Sequence, residues 1–263
     1  MKLRTRGISG TRNQAESERE RAHRVIARKA AAEGIVLLEN NGVLPLKQGS
    51  KVALYGGGAR HTIKGGTGSG SVNNRSNVSI DEGLRNAGFT VTTDAWLDAY
   101  DAAYEQSYAE WKAYIYEISE PGNFDSLYRA HASHPMQMPK GSAITKTEAA
   151  DAIYVISRIS GEGADRKAEP GDYYLSEQEE EELKAITECY DNTIVILNVG
   201  GVMDVSFLEK YNIAALVMLS QAGMEGGNAL ADVLSGAVTP SGKLTDTWGC
   251  RYEDYPSTRD VQP

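Results

Sequence analysis

Ala152-Ile153-Tyr154-Val155-Ile156-Ser157 decides how this chain folds. The run is apolar without alternation. A strand with one face in water alternates polar and apolar residues, whereas a strand covered on both faces does not. Four more runs of this kind occur along the chain: VALY at 52–55, FTVTT at 89–93, TIVILN at 193–198 and AALVML at 214–219. Helical patterns separate them. One spans 13–33 and closes on Gly34, and another covers Ile80–Ala87. Ser176 with Glu179 three residues on forms a capping box that opens a helix through Cys189. A last helix covers Met224–Leu234 and ends at Gly236. Strands alternating with helices predict an α/β class protein: a three-layer α/β/α sandwich around a mostly parallel sheet of about six strands. Ligands of such sheets gather beyond the carboxyl ends of the strands, so the loops there are the ones to read for chemistry.

Two segments stand outside this rhythm. Residues 95–118 carry Tyr100, Tyr104, Tyr108, Trp111 and Ile115 at helical spacing, which predicts a helix with an aromatic face on the core rather than a sugar-stacking platform. Residues 119–144, broken by prolines and glycines, read as a long loop. Its His131 and His134 lack the Cys or acidic neighbours of a metal site, so no metal is expected. By this reading residues 1–12 are a flexible tail, 13–250 one sandwich domain, and 251–263 a C-terminal tail or a linker to a missing domain.

Composition bounds the function. The 263 residues carry a formal charge of −9, which speaks against nucleic acid, since phosphate binding needs a basic face. The two cysteines, Cys189 and Cys250, have no pairing or metal-ligand spacing, as suits a reducing compartment. No apolar h-region follows Met1, and no run approaches the ~18 apolar residues of a membrane span. A cytoplasmic protein with no membrane association is expected.

Two of the loops could carry chemistry. After VALY come Gly56-Gly57-Gly58 and then Lys64-Gly65-Gly66-Thr67-Gly68-Ser69-Gly70-Ser71. This is neither a phosphate-binding Walker loop nor a dinucleotide fingerprint, because His61 stands where the third glycine belongs. No serine sits in a GxSxG elbow. A loop that lets backbone approach a ligand closely fits better. A non-catalytic, flavodoxin-like module holding a sugar or a nucleotide is the alternative reading. The second loop follows AIYVIS: Arg158-Ile159-Ser160-Gly161-Glu162-Gly163-Ala164-Asp165-Arg166. A glutamate between two glycines past the end of a buried strand is placed for ligand work.

The run VISRISGEGADRKAEPGDYYLSEQEEEEL resembles the acid/base segment of bacterial glycoside hydrolase family 3. Around it AAAEGIVLLENNGVLPL, KGGTGSG, LNVGGVMDV, QAGMEGGNALADVLSGAVTPSGKLTDTW and YEDYPS keep the order of that family's α/β sandwich domain, over roughly residues 20–257. The resemblance implies a retaining, two-step hydrolysis of β-linked sugars. An aspartate from a separate (β/α)8 barrel attacks the anomeric carbon, and a glutamate of the sandwich transfers the protons. Glu162 matches that glutamate. Ser69 and Gly68 match the loop that approaches the bound sugar. Arg158, Asp165 and Arg166 flank Glu162 as loop-supporting residues. The implied activity is that of a β-glucosidase, with a β-xylosidase open. No cofactor is implied, the partners are a carbohydrate substrate and the barrel domain, and a homo-oligomer is compatible.

Chemistry independently asks for the same pair. Retaining glycosidases need two carboxyls about 5–5.5 Å apart, one of them an acid of raised pKa. The chain offers a candidate for the acid and none for the nucleophile, since the barrel's aspartate motif is absent. Alone it is expected to be inactive, as a fragment or as the first domain of a longer enzyme.

Overall fold

A computed structural model describes residues 15–160 and 166–260. The expected tail at 1–12 lies outside them. The first helix, α1 (Glu18–Gly34), opens later than the pattern at 13 suggested, because Ser17 caps it and forms a capping box with Glu20. Then follow β1 (Val36–Asn40), β2 (Lys51–Tyr55), α2 (Ile80–Asn86), β3 (Thr90–Val91) and the 25-residue α3 (Asp94–Ile118). The rest is α4 (Phe124–Ser133), β4 (Asp151–Arg158), α5 (Glu177–Cys189), β5 (Asn192–Val199), α6 (Phe207–Lys210), β6 (Ala215–Met218), α7 (Gly226–Leu234) and α8 (Ser257–Asp260).

The strands form one sheet in the order β1-β6-β5-β4-β2-β3. Every pairing is parallel except β1 with β6, which is antiparallel. The α/β sandwich with a mostly parallel six-stranded sheet is therefore as read. The five apolar runs all lie in it, although FTVTT contributes only Thr90–Val91 as strand. The sixth strand, β1, was not among them. It is an edge strand that buries Val36 and leaves Leu37, Glu39 and Asn40 more open, and its short apolar run, IVLL at 35–38, follows directly on the last residue of α1 and does not stand apart from that helix as the other runs do.

Segment 119–144 is not all loop, which corrects the sequence reading. It contains α4, capped by Asn123, whose side chain accepts from the amide of Ser126. Its Phe124, Leu127 and Tyr128 are at helical spacing, but Pro121-Gly122 and Pro135 on either side make the stretch read as loop, and it packs against α3. Helix α3 uses Trp96, Leu97 and Tyr100 on the core and also buries Ile115 near its far end. Farther out, the rings of Tyr104, Tyr108 and Trp111 run along its face as an aromatic ladder.

On one face of the sheet Tyr55 and Tyr154, paired across β2 and β4, meet Trp96, Tyr190 and Glu182 of the α3 and α5 layer. On the other face α7 packs between α1 and α2. The contact with α2 is backbone on backbone: a Cβ on Gly227 would stand 1.9 Å from the carbonyl oxygen of Ser79, and one on Gly83 2.0 Å from that of Gly227. Only glycine fits at either place. Past residue 250, Tyr252 and Tyr255 set their rings on buried Tyr173, with centroids 5.0 and 6.3 Å away.

Candidate active site at the carboxyl edge of the sheet

The parallel strands deliver four loops to one edge. The loop after β2 begins with a turn that demands glycine: Gly56 has φ +93, and a Cβ there would stand 2.3 Å from the carbonyl oxygen of Val155 in β4. The chain therefore passes directly over its neighbouring strand. Thr62 fixes the next turn by donating to the Gly58 carbonyl at 2.7 Å and accepting the Ile80 amide at 2.9 Å. Arg60 fans out to Asp81, Asp98 and Asp101 at 2.9, 2.6 and 2.9 Å. His61 bonds Asp101 through Nε2 at 2.9 Å and stacks on Tyr104 with ring centroids 3.8 Å apart. The first half of this loop is thus locked to α2 and α3.

Asn198, at the end of β5 and fully buried, holds the second half. Its Oδ1 accepts the Ile63 amide at 2.7 Å, and its Nδ2 donates to the carbonyls of Ile63 and Ser220 at 2.9 and 2.7 Å. Ser220 is in the left-handed region, with φ +59. Beyond it the Gly223 amide donates to the Lys64 carbonyl at 2.9 Å. Gly68–Gly70 form a single 3-10 turn with Gly68 exposed at φ +68. That turn carries Ser69 at the same edge.

The loop after β4 starts from Arg158, which is 7% exposed. Its guanidinium binds Glu179 of α5 through both terminal nitrogens, at 2.7 and 2.6 Å, and its Nε donates to the Asp172 carbonyl at 2.8 Å. Glu179 does double duty, since the same carboxylate accepts the Ser176 amide at 2.8 Å in the capping box of α5. Ser160 rests against Gly200, where a Cβ would meet its own Cβ at 2.5 Å, and its carbonyl accepts from Gln221 at 3.5 Å. Arg166 returns on the far side, binding Asp172 at 2.7 Å and the Ser160 hydroxyl at 3.3 Å. Glu162 and Asp165 lie outside the described residues, as does the side chain of Ser69.

The segment 220–223 after β6 thus touches both candidate loops, through Gln221 at Ser160 and Gly223 at Lys64. Sequence reasoning missed Asn198, Gln221, Asp172 and the second role of Glu179. Glu179 had a signal, but the capping box accounted for it fully. The others are single polar residues near strand ends whose partners are distant in sequence.

Among the described residues no group of three or more His, Cys, Asp or Glu could hold a metal ion. Also among them, no helix is long and apolar enough to cross a membrane.

Fold and edge together define an open-sheet α/β domain whose candidate site loops follow β2, β4, β5 and β6. Residues 35–263 match the Glycosyl hydrolase family 3 C-terminal domain, and the chain belongs to that family. It is 35% identical over 260 residues to β-glucosidase A of Butyrivibrio fibrisolvens, covering 90% of this chain and 30% of that protein. Among solved structures it resembles a β-glucosidase of Paenibacillus barengoltzii, with a TM-score of 0.74 at 34% identity over 95% of this chain and 26% of that one. It also resembles β-glucosidase 3B of Thermotoga neapolitana in complex with glucose, with a TM-score of 0.71 at 34% identity over 91% of this chain and 33% of that one. The chain spans about a third or less of the length of each of these relatives.

Proposed function

We propose that this chain furnishes the proton-transferring half of a retaining β-glycosidase, specifically a β-glucosidase that removes terminal β-linked glucose. In this reading residues 13–250 are the working domain. Glu162 is the general acid and then the general base, Ser69 and Gly68 approach the sugar, and Arg158, Asp165 and Arg166 support the loop. A (β/α)8 barrel in the same or a neighbouring polypeptide supplies the nucleophilic aspartate and most of the sugar-binding residues. The cytoplasm is the compartment, in keeping with two free thiols, Cys189 and Cys250.

The chemistry runs in two steps. As the barrel carboxylate bonds to the anomeric carbon, the Glu162 carboxyl gives its proton to the departing glycosidic oxygen. The carboxylate left behind then takes a proton from water, whose oxygen displaces the enzyme from the sugar with net retention. Without the barrel there is no nucleophile, so residues 1–263 alone are expected to give no turnover.

One observation carries the reading. The residues that bracket Glu162 in sequence, Ser160 and Arg166, stand at the carboxyl end of β4, linked through Gln221 and the β6 loop to the Gly-rich loop of β2. The names of the relatives, all β-glucosidases, agree with it. The test is Glu162→Ala in the full-length enzyme. A poor leaving group needs the proton and a good one does not, so cleavage of an alkyl β-glucoside should fall far more than that of a dinitrophenyl β-glucoside. Azide should enter the vacated space and yield a β-configured azide product. Equal loss on both substrates with no azide product would assign the proton transfer elsewhere.

A further inference from the structure

We propose that Asp172 is a positioning residue for this proton transfer, fixing both stems of the segment that carries Glu162. The inference rests on the reading of Glu162 as the acid/base. Its observations are independent of that reading, because every atom involved lies in the described stems.

Asp172 is fourteen residues from Arg158 and six from Arg166, and it binds both. Its main-chain carbonyl takes the Nε of Arg158 at 2.8 Å, so the outgoing stem is tied to it. Its carboxylate takes the guanidinium of Arg166 at 2.7 Å through one oxygen and the Lys167 amide at 2.9 Å through the other, so the returning stem is tied as well. Charge-assisted bonds of this kind are short and directional.

The clasp is itself anchored. Arg158 is buried against Glu179 of α5, and the neighbouring Tyr173 is buried beneath the rings of Tyr252 and Tyr255. The Tyr173 carbonyl accepts the Asp204 amide at 2.8 Å, which ties the same turn to the β5 loop. Gly171, at φ +85, makes the tight turn that presents Asp172 to both stems. Across the opening, Arg166 also reaches the Ser160 hydroxyl at 3.3 Å. Residues 158–160 and 166–167 are therefore held to one another by the Asp172 side chain and main chain and by Arg166, with Arg158 anchored on α5 and the Asp172 turn on the β5 loop.

A general acid works only from the right place, and a displacement of about 1 Å by a remote substitution costs about 100-fold in rate. A slack returning stem should therefore harm the proton-dependent reaction selectively. Substitution of the Asp172 side chain leaves its main-chain bond to Arg158 available, so the outgoing stem and the fold are expected to survive. Asp172→Asn is the gentler variant, since it keeps one acceptor oxygen and loses the charge.

The experiment compares Asp172→Ala and Asp172→Asn with Glu162→Ala in the full-length enzyme, using an alkyl and a dinitrophenyl β-glucoside. For Asp172→Ala, kcat on the alkyl glucoside should drop about 10- to 100-fold, and on the dinitrophenyl glucoside less than about threefold. Asp172→Asn should fall between it and the wild type. Because the Glu162 carboxyl remains, the basic limb of the pH–rate profile should persist and azide should give no rescue, unlike in Glu162→Ala. Equal losses on both substrates, or no loss on either, would overturn the positioning role while leaving Glu162 as the acid/base. A Glu162→Ala variant that shows no leaving-group dependence would overturn the parent reading and this inference with it.

Discussion

Replacing Asn198 with alanine should loosen two of the four site loops at once. The side chain is fully buried and bonds the Ile63 amide, the Ile63 carbonyl and the Ser220 carbonyl, with the Ser157 hydroxyl as a fourth, longer partner at 3.5 Å. Alanine leaves three main-chain groups without that partner. A typical bond of this kind contributes about 1 kcal/mol net, and a buried group left unpaired costs about 1–3 kcal/mol. Ile63 is only partly buried and water can reach part of the gap, so the low end applies and the total is about 3 kcal/mol. For a domain of this size that corresponds to a fall of about 6–12 °C in Tm. Differential scanning calorimetry of the chain measures it, and hydrogen exchange at the Ile63 amide should accelerate in parallel. Asn198→Asp is the sharper probe. It keeps an acceptor for the Ile63 amide but sets an oxygen, and a charge, against two carbonyls. It should be at least as damaging as alanine despite its matching shape. A shift under about 2 °C for alanine, or a well-tolerated aspartate, would refute the reasoning.

Gly227→Ala forces a methyl group to within 1.9 Å of the Ser79 carbonyl oxygen and should cost about 3 kcal/mol or more in urea unfolding, whereas Gly34→Ala, with open space around it, should cost little. The Glu182 carboxyl is pushed above its ordinary value, first by burial, although Gln178 and Tyr154 donate to it. An acid of raised folded pKa binds more protons folded than unfolded, so stability attributable to it falls as pH rises from about 4.3 through the folded value. Glu182→Gln should flatten that decline in a series of chemical denaturations across pH, and an unchanged slope would show that Glu182 does not titrate with folding.

The sandwich could be read from the sequence because its information is local. The centres of AIYVIS and TIVILN are apolar without alternation because both faces of these strands are covered, and Ser176 with Glu179 marks a helix start through bonds only three residues long. Helix α3 declared itself by the spacing of its aromatic residues. Strand β1 did not, because its short run IVLL at 35–38 follows directly on the end of α1 and reads as that helix's continuation. Neither did α4, whose ten residues lie between Pro121-Gly122 and Pro135 and so read as part of a loop.

The two candidate loops were likewise named by their local glycines, but what holds them was not. Asn198 meets Ile63 across 135 positions, and Gln221 meets Ser160 across 61. The apolar run before Asn198 marks it as the end of a buried strand, but nothing beside it names the groups it binds. Its closest partners are main-chain atoms, which every residue possesses, so composition and spacing carry no trace of the pairing. Only the parallel sheet, by bringing the ends of β2, β4, β5 and β6 to one edge, gives those side chains something to hold.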